Sequence, residues 1–199
     1  MTGPFLDAPG NEAETSGKYS CQMVVSWPIR SGFFDESSLI AIPPTNPGRI
    51  CLIKRFAETW AEPFRSMVGD IPESTDVKSL ELHDWPPPKG SRGTGRVALV
   101  GDSFHPMAMY RGEGANHAIV DVLDLVELAI SHVFPRDSGM LKLREALDRY
   151  EDAIGARARP AVFASRQACL DAHSWASINE KSPLLSRRIM RLAFAEDDQ

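Results

Sequence analysis

The sequence is poor in cysteine: three residues, Cys21, Cys51 and Cys169, odd in number and scattered over 199 positions. That pattern fits neither a disulfide framework nor a zinc site, and it points to a reducing compartment. Long apolar runs are also missing. The stretches Ile50–Ile53 and Val97–Val100 fall far short of the roughly 20 residues that cross a bilayer, so the chain reads as soluble, with no membrane span. There is no basic block either, with 22 Lys+Arg against 27 Asp+Glu and a net charge of -5, which argues against nucleic acid as a partner. Residues 1–17 carry no basic start followed by an apolar core, so the expected location is cytoplasmic. What remains, 43% hydrophobic and 25% charged residues, suits a globular domain rather than a disordered chain or a coiled coil.

Residues 1–17, rich in Gly, Pro, Ser and acids, read as a loose tail. From Tyr19 the pattern becomes alternating, with Tyr19, Cys21, Met23, Val25 and Trp27 on one face, which predicts a half-buried strand. Residues 39–42 and 49–54 predict two more strands around the Pro-Pro-Thr-Asn-Pro-Gly turn at 43–48, and 77–82 a further one, giving an antiparallel sheet. Phe56–Val68 predicts a helix that Pro63 kinks or restarts. The run Trp85-Pro-Pro-Pro-Lys-Gly-Ser-Arg-Gly-Thr-Gly continues neither element and marks a boundary near residue 95.

Gly95-Arg-Val-Ala-Leu-Val-Gly-Asp predicts a strand buried on both faces and ending at Gly101-Asp102. A glycine-rich loop, 103–114, leads into a helix expected over 115–133, apolar almost all round, with a thin polar stripe at Asp121, Asp124, Glu127 and Ser131. Met140, Leu143, Leu147, Tyr150 and Ile154 predict an amphipathic helix. Another is expected from Pro160 through Trp175, and a last basic one after Ser182-Pro183, whose Arg187, Arg188 and Arg191 are offset by nearby acids and read as a solvated face.

The chemistry concentrates in residues 95–124. A carboxylate at the carboxyl end of a strand and a Gly-x-Gly turn opening a helix form a ligand-binding arrangement of open α/β sheets. Unpaired amides at the helix start attract negative charge. Asp102 suits sugar-like hydroxyls, and the amides of Gly114, Ala115 and Asn116 suit an electron-rich carbonyl. This locates a ligand without naming it.

Gly101-Asp102-Ser103-Phe104-His105-Pro106, then Arg111-Gly112-Glu113-Gly114-Ala115-Asn116, then Asp121 and Leu125, resembles the second flavin motif of the FAD-dependent aromatic hydroxylases, the p-hydroxybenzoate hydroxylase-like monooxygenases. The resemblance implies an α/β (α+β) class. Its expected parts are a remnant antiparallel sheet of the substrate domain over 18–94, one buried Gly-Asp strand, and several helices completing a partial FAD-binding domain over 95–199. It implies that Asp102 binds the ribityl chain, that Gly114, Ala115 and Asn116 face the pyrimidine edge of the isoalloxazine, and that Gly101 and Gly112 belong to the same cofactor-binding set. It further implies NAD(P)H as reductant and insertion of one oxygen atom from O2 into a small aromatic or polyketide-like metabolite, by hydroxylation or epoxidation.

Two departures limit that inference. The Gly-x-Gly-x-x-Gly turn that holds the ADP half of FAD in this family is absent from these 199 residues, and Gly69-Asp70 reverses the family's middle Asp-Gly pair. The loop position near the flavin that is often proline is Met109. The expectation is therefore the later half of a family member, carrying half an FAD site. It is either a monooxygenase or a truncated, non-catalytic member acting as a binding or assembly partner, with self-association or complementation by a chain carrying the first half.

Other readings stay open for several residues. Asp102 alternatively caps its own loop. Trp27 and Met109 are candidate substrate contacts, with ordinary core packing the alternative for Trp27. Arg111 and Glu113 meet substrate or NAD(P)H, or else form an exposed loop pair. His105 and His117 lack the spacing of metal ligands and read as loop packing and helix surface. No residue stands out as catalytic.

Overall fold

The computed structural model describes residues 22–94, 96–130 and 140–187, so the expected tail and most of the last basic helix, including Arg188 and Arg191, lie outside the described residues. The chain divides into two units, Met1–Glu81 and Leu82–Gln199.

In the first unit the apolar run at 50–53 is helical. Thr45, in extended conformation, caps the helix by accepting the Gly48 amide at 3.3 Å, and Pro47 sits in the first turn, where its missing N–H costs nothing. Lys54 and Arg55 close the last turn against the helix dipole. The result is α1, Asn46–Ala57, where the sequence pattern suggested a strand. A short apolar run fits a strand or a helix equally well, and here the cap and proline decide. The expected helix over 56–68 is split: α1 ends at Ala57, and Pro63 stands at the start of a short α2, Phe64–Gly69.

Ile50, Ala57, Val68, Ile71 and Val77 form the buried core of this unit, with Met23, Ile53 and Trp60 against it. Each fully buried aliphatic side chain contributes about 1.5–3 kcal/mol. Phe56 is the centre of an aromatic knot, with the rings of Trp27, Phe33 and Phe34 at 5.2, 5.7 and 5.0 Å in edge-on contacts. The Arg49 guanidinium ties the loops together, donating to the carbonyls of Pro43 at 2.9 Å and Val77 at 2.7 Å.

The expected remnant sheet is absent: no residue among those described is in a strand. Periodicity was still informative, because Met23, Val25 and Trp27 are half-buried while Gln22, Val24 and Ser26 are exposed. Alternation fixes which side chains turn inward, but a strand also needs a partner for its backbone hydrogen bonds. The same correction applies at 96–100. Val100 is extended (φ -134°, ψ 140°), and Ala98 and Val100 are half-buried, but Val97 and Leu99 are exposed. The Gly-Asp strand is thus neither paired nor buried on both faces.

The second unit is built on α4, Met140–Ala172, one helix that runs through Pro160 instead of restarting there. Its buried face carries Leu147, Tyr150, Ile154, Ala158, Val162, Ser165 and Ala168 at helical spacing. Against it lie the turn Met109–Arg111 and the helix α3, Gly114–Asp124, which widens into a π-helical turn at Leu125–Ile130. The Tyr150 hydroxyl donates to the Leu99 carbonyl at 2.7 Å, and burial pushes its phenol up, so it remains a neutral donor. Asp84, before the proline run, accepts from both Nε and Nη2 of Arg166 on α4.

Candidate functional site

The backbone turns sharply at Gly101, with φ +59°, a left-handed conformation that glycine adopts without strain. It also passes so close to α3 that a Cβ there would lie 3.0 Å from the Ala118 Cβ. The turn is closed by Ser103, whose Oγ accepts the Val100 amide at 3.0 Å and donates to the Val100 carbonyl at 2.7 Å. Ser103, and not Asp102, caps this loop. Asp102 is exposed, and among the described residues its carboxylate accepts no hydrogen bond.

That carboxylate lies beside the start of α3. A Cβ placed on Gly114 would be 3.8 Å from Asp102 Oδ1 and 3.7 Å from Met107 Cγ. The first amides of a helix have no partner within it, and at α3 no side chain caps them. Glu113, at the capping position, is turned away to Arg111. Gly114 and Asn116 are half-buried, Ala115 and Gly112 exposed, and Gly112 makes the left-handed turn before the helix. The structure therefore brings together an unpaired carboxylate and an uncapped helix start. A cleft of about 410 Å³ lies elsewhere in this unit, lined by Pro87, Phe104, Asp152 and Arg159 among others.

Behind this pair is a buried ionic network. Asp121 is inaccessible to solvent; one carboxylate oxygen accepts the Gly101 amide at 2.7 Å and meets His105 Nε2 at 2.7 Å, and the other accepts Arg157 at 2.7 Å. Arg157 also donates to Asp124 at 2.9 Å and lies 3.1 Å from His117 Nδ1. Burial pushes the Asp121 carboxyl up, but hydrogen bonds from His105, Arg157 and the Gly101 amide outweigh it and hold the group below its usual range. His117 goes the other way for a base: burial first, then the Arg157 charge, lowers it to about 4 and keeps it neutral at pH 7.

One histidine is placed as expected and the other is not. His105 packs in the loop and is fully buried, with its Nδ1 unpartnered, whereas His117 is buried and not on the helix surface. Among the described residues no His/Cys/Asp/Glu cluster could hold a metal ion. Arg111 and Glu113 are no exposed pair. Both are buried, with Arg111 Nε donating to Glu113 at 2.7 Å and its Nη atoms reaching Ser186 Oγ at 2.9 Å and the carbonyls of Pro183 and Arg187. Their observed work is to clamp the turn before α3 onto the 183–187 segment. Trp27 belongs to the aromatic knot of the first unit, and Met109 is an exposed residue of the second.

Comparison with known proteins finds similar chains. The chain is 45% identical over 98% of its length to a probable FAD-dependent monooxygenase of Arthroderma benhamiae. It is 36% identical over 70% of its length to the FAD-dependent monooxygenase phnB of Penicillium herquei. Over nearly its whole length it is similar to an FAD-dependent monooxygenase. The chain spans 45% of the first relative and 33% of the second, so it corresponds to less than half of these monooxygenases. No family model and no solved structure matches it. No helix among the described residues is long and apolar enough to cross a membrane.

Arg157, the partner of Asp121, carried no local signal in the sequence: it is 36 positions away. Asp121 was visible as part of a polar stripe and as the helical acid of the motif, but not as the centre of a network. Its i, i+4 spacing from His117 is the one hint that both face the same neighbour.

Proposed function

We propose that this chain forms one wall of the flavin site of an FAD-dependent monooxygenase, with Asp102 and the α3 N-terminus as the cofactor contacts. The observation that supports this reading is the unpaired Asp102 carboxylate beside the uncapped amides of Gly114, Ala115 and Asn116. A carboxylate accepts hydrogen bonds from polyol hydroxyls, which suits the ribityl chain. A helix start presents donors and a positive dipole end, which suits the electron-rich pyrimidine edge. Gly101 and Gly112 supply the two left-handed turns that aim these groups.

When bound, FAD would supply the redox chemistry: electrons from NAD(P)H, and transfer of one oxygen atom from O2 to a small aromatic or polyketide-like substrate. The residues of this chain would bind and orient the cofactor. Asp121 would hold Gly101, and through it Asp102, in register with α3, and the Arg111–Glu113 clamp would keep the preceding turn rigid. No residue of this chain is assigned a proton transfer. Because these residues span under half of the relatives they match, the rest of the site would come from polypeptide outside them.

A second reading is a non-catalytic family member that acts as a binding or assembly partner. These residues carry no Gly-x-Gly-x-x-Gly turn, and phosphate contacts usually carry much of dinucleotide affinity. Titration with FAD, followed by absorbance after desalting, separates the two. The isolated chain is expected to take up FAD weakly or not at all, and Asp102→Ala to abolish what uptake there is. Uptake unchanged by Asp102→Ala would defeat the site assignment.

A further inference from the structure

The cleft of about 410 Å³ beside α4 has no task in the reading above, and its size is that of a small-molecule site. One wall is the turn Pro88–Ser91, closed by the Ser91 amide donating to the Pro88 carbonyl at 3.1 Å. The other is a face of α4, residues 151, 152, 155, 156, 159 and 160, and Phe104 adds a half-buried ring. Its charges are unequal in their commitments. Glu151 accepts Arg144 at 2.5 Å and the Gly93 amide at 2.9 Å, and Asp152 accepts Arg92 at 3.2 Å. Asp148, outside the lining, shares the same two arginines. Lys89 and Arg159 also line the cleft, and neither pairs with a carboxylate among the described residues. Arg159 is held by neutral groups instead, the Pro87 carbonyl and the Phe163 ring, 5.1 Å from its guanidinium carbon.

Two features of the α4 wall suit a ligand. Gly155 stands inside the helix, where glycine is weaker than alanine, yet a Cβ there would meet nothing within 4 Å. Packing does not call for a glycine; what the missing side chain leaves is room in the cleft. Pro160 has no N–H for the carbonyl of Ala156, so an acceptor on the same wall lacks its usual donor. A fitting ligand therefore combines an anion, a flat apolar body and an N–H donor. A phosphate answers both cations where a carboxylate answers one. We infer that this cleft binds an adenine nucleotide. Lys89 and Arg159 take its phosphate, Phe104 and the prolines take the purine over the Gly155 gap, and the exocyclic amine donates to the Ala156 carbonyl. The inference uses neither Asp102 nor the start of α3, so it does not depend on flavin.

Calorimetric titration of this chain with AMP tests it. Binding at one site is expected, weakened about tenfold by Lys89→Ala or Arg159→Gln, as for other charge-assisted phosphate contacts. Lys78→Ala, which removes the same charge from an exposed position of the first unit, should change it less than about twofold. Gly155→Leu fills the gap and should abolish binding, with circular dichroism showing that helix content is kept. If that variant loses helix, Lys89→Ala decides, since Lys89 is exposed on a turn. IMP, with an oxygen in place of the amine, should bind about tenfold more weakly than AMP, and Pro160→Ala, which returns an N–H to the Ala156 carbonyl, should erase that preference. Adenosine binding as tightly as AMP, AMP binding indifferent to both Lys89→Ala and Gly155→Leu, or no binding at millimolar AMP would each overturn the inference. ADP-ribose binding more tightly than AMP marks a dinucleotide as the source and the reverse a free nucleotide; either upholds the cleft. AMP binding should survive Asp102→Ala, so this inference and the flavin reading fail separately.

Discussion

The two units of this chain are held by different physics. The first is apolar at its centre, with Ile50, Val68, Ile71 and Val77 around α1 and an aromatic knot on Phe56. Around α3 the second is polar at its centre: Asp121, His105 and His117 are buried beside the half-buried Arg157, and a few residues away Arg111 pairs with Glu113 out of solvent. An apolar core degrades gradually, because each lost methylene costs its own transfer and cavity terms. A buried ionic network is closer to all-or-none, because removing one member strands the others without solvent. The network also has a task that the apolar core lacks: it holds Gly101, and hence Asp102, beside the α3 start.

The sharpest test of this contrast is Asp121→Ala, which strands Arg157, His105 and the Gly101 amide at once. A loss of about 3–5 kcal/mol by chemical denaturation is expected. A loss below about 1 kcal/mol would mean that the network is wetter or looser than its geometry.

Acid should act on the second unit first. His117 is lowered to about 4 from an ordinary 6.5, so between those values the unfolded chain binds a proton that the folded chain refuses. The stability this provides is present above pH 6.5 and falls as pH drops toward 4, by on the order of 3 kcal/mol in all. Asp121, also held below its ordinary range, adds a further loss of the same sign at lower pH. Denaturation midpoints measured from pH 7 to 4 should fall steadily, and His117→Gln should flatten that slope. A slope that His117→Gln leaves unchanged would assign the acid response elsewhere.

Gly101→Ala forces a Cβ into a left-handed turn and against Ala118. It should cost about 1–2 kcal/mol. A thermal melt no different from the parent would show that the turn is not fixed. At the gentle end, Ile50→Val in the first unit should cost only about 0.5–1.5 kcal/mol, measured the same way. If it proves as damaging as Asp121→Ala, the distinction between the two interiors fails.

Legibility followed range along the chain. The Asp102 and Gly114 pairing was readable because twelve residues of loop contain both turns, Gly101 and Gly112, that bring them together. The face of α4 was readable from Leu147, Tyr150 and Ile154, since helical spacing marks which residues share a side. Misreadings came where spacing was ambiguous or silent. The run at 50–53 fits either element until Thr45 and Pro47 are weighed. The stripe on α3 was found, but spacing does not say which side faces inward, and in the structure it is the polar side that does. The Arg111–Glu113 pair looked solvent-exposed because its partners, Pro183, Ser186 and Arg187, lie more than seventy positions away.

The sequence by itself determined the local geometry and the lineage: a glycine turn carrying an acid, a second glycine turn opening a helix, and kinship with FAD-dependent monooxygenases. Only the tertiary structure decided that α3 is polar inside and apolar outside, and that 96–100 pairs with no strand among the described residues. The physical reason is that a residue's spacing depends on its own backbone, whereas its burial depends on which distant groups, here Arg157 and Tyr150 on α4, arrive to satisfy it.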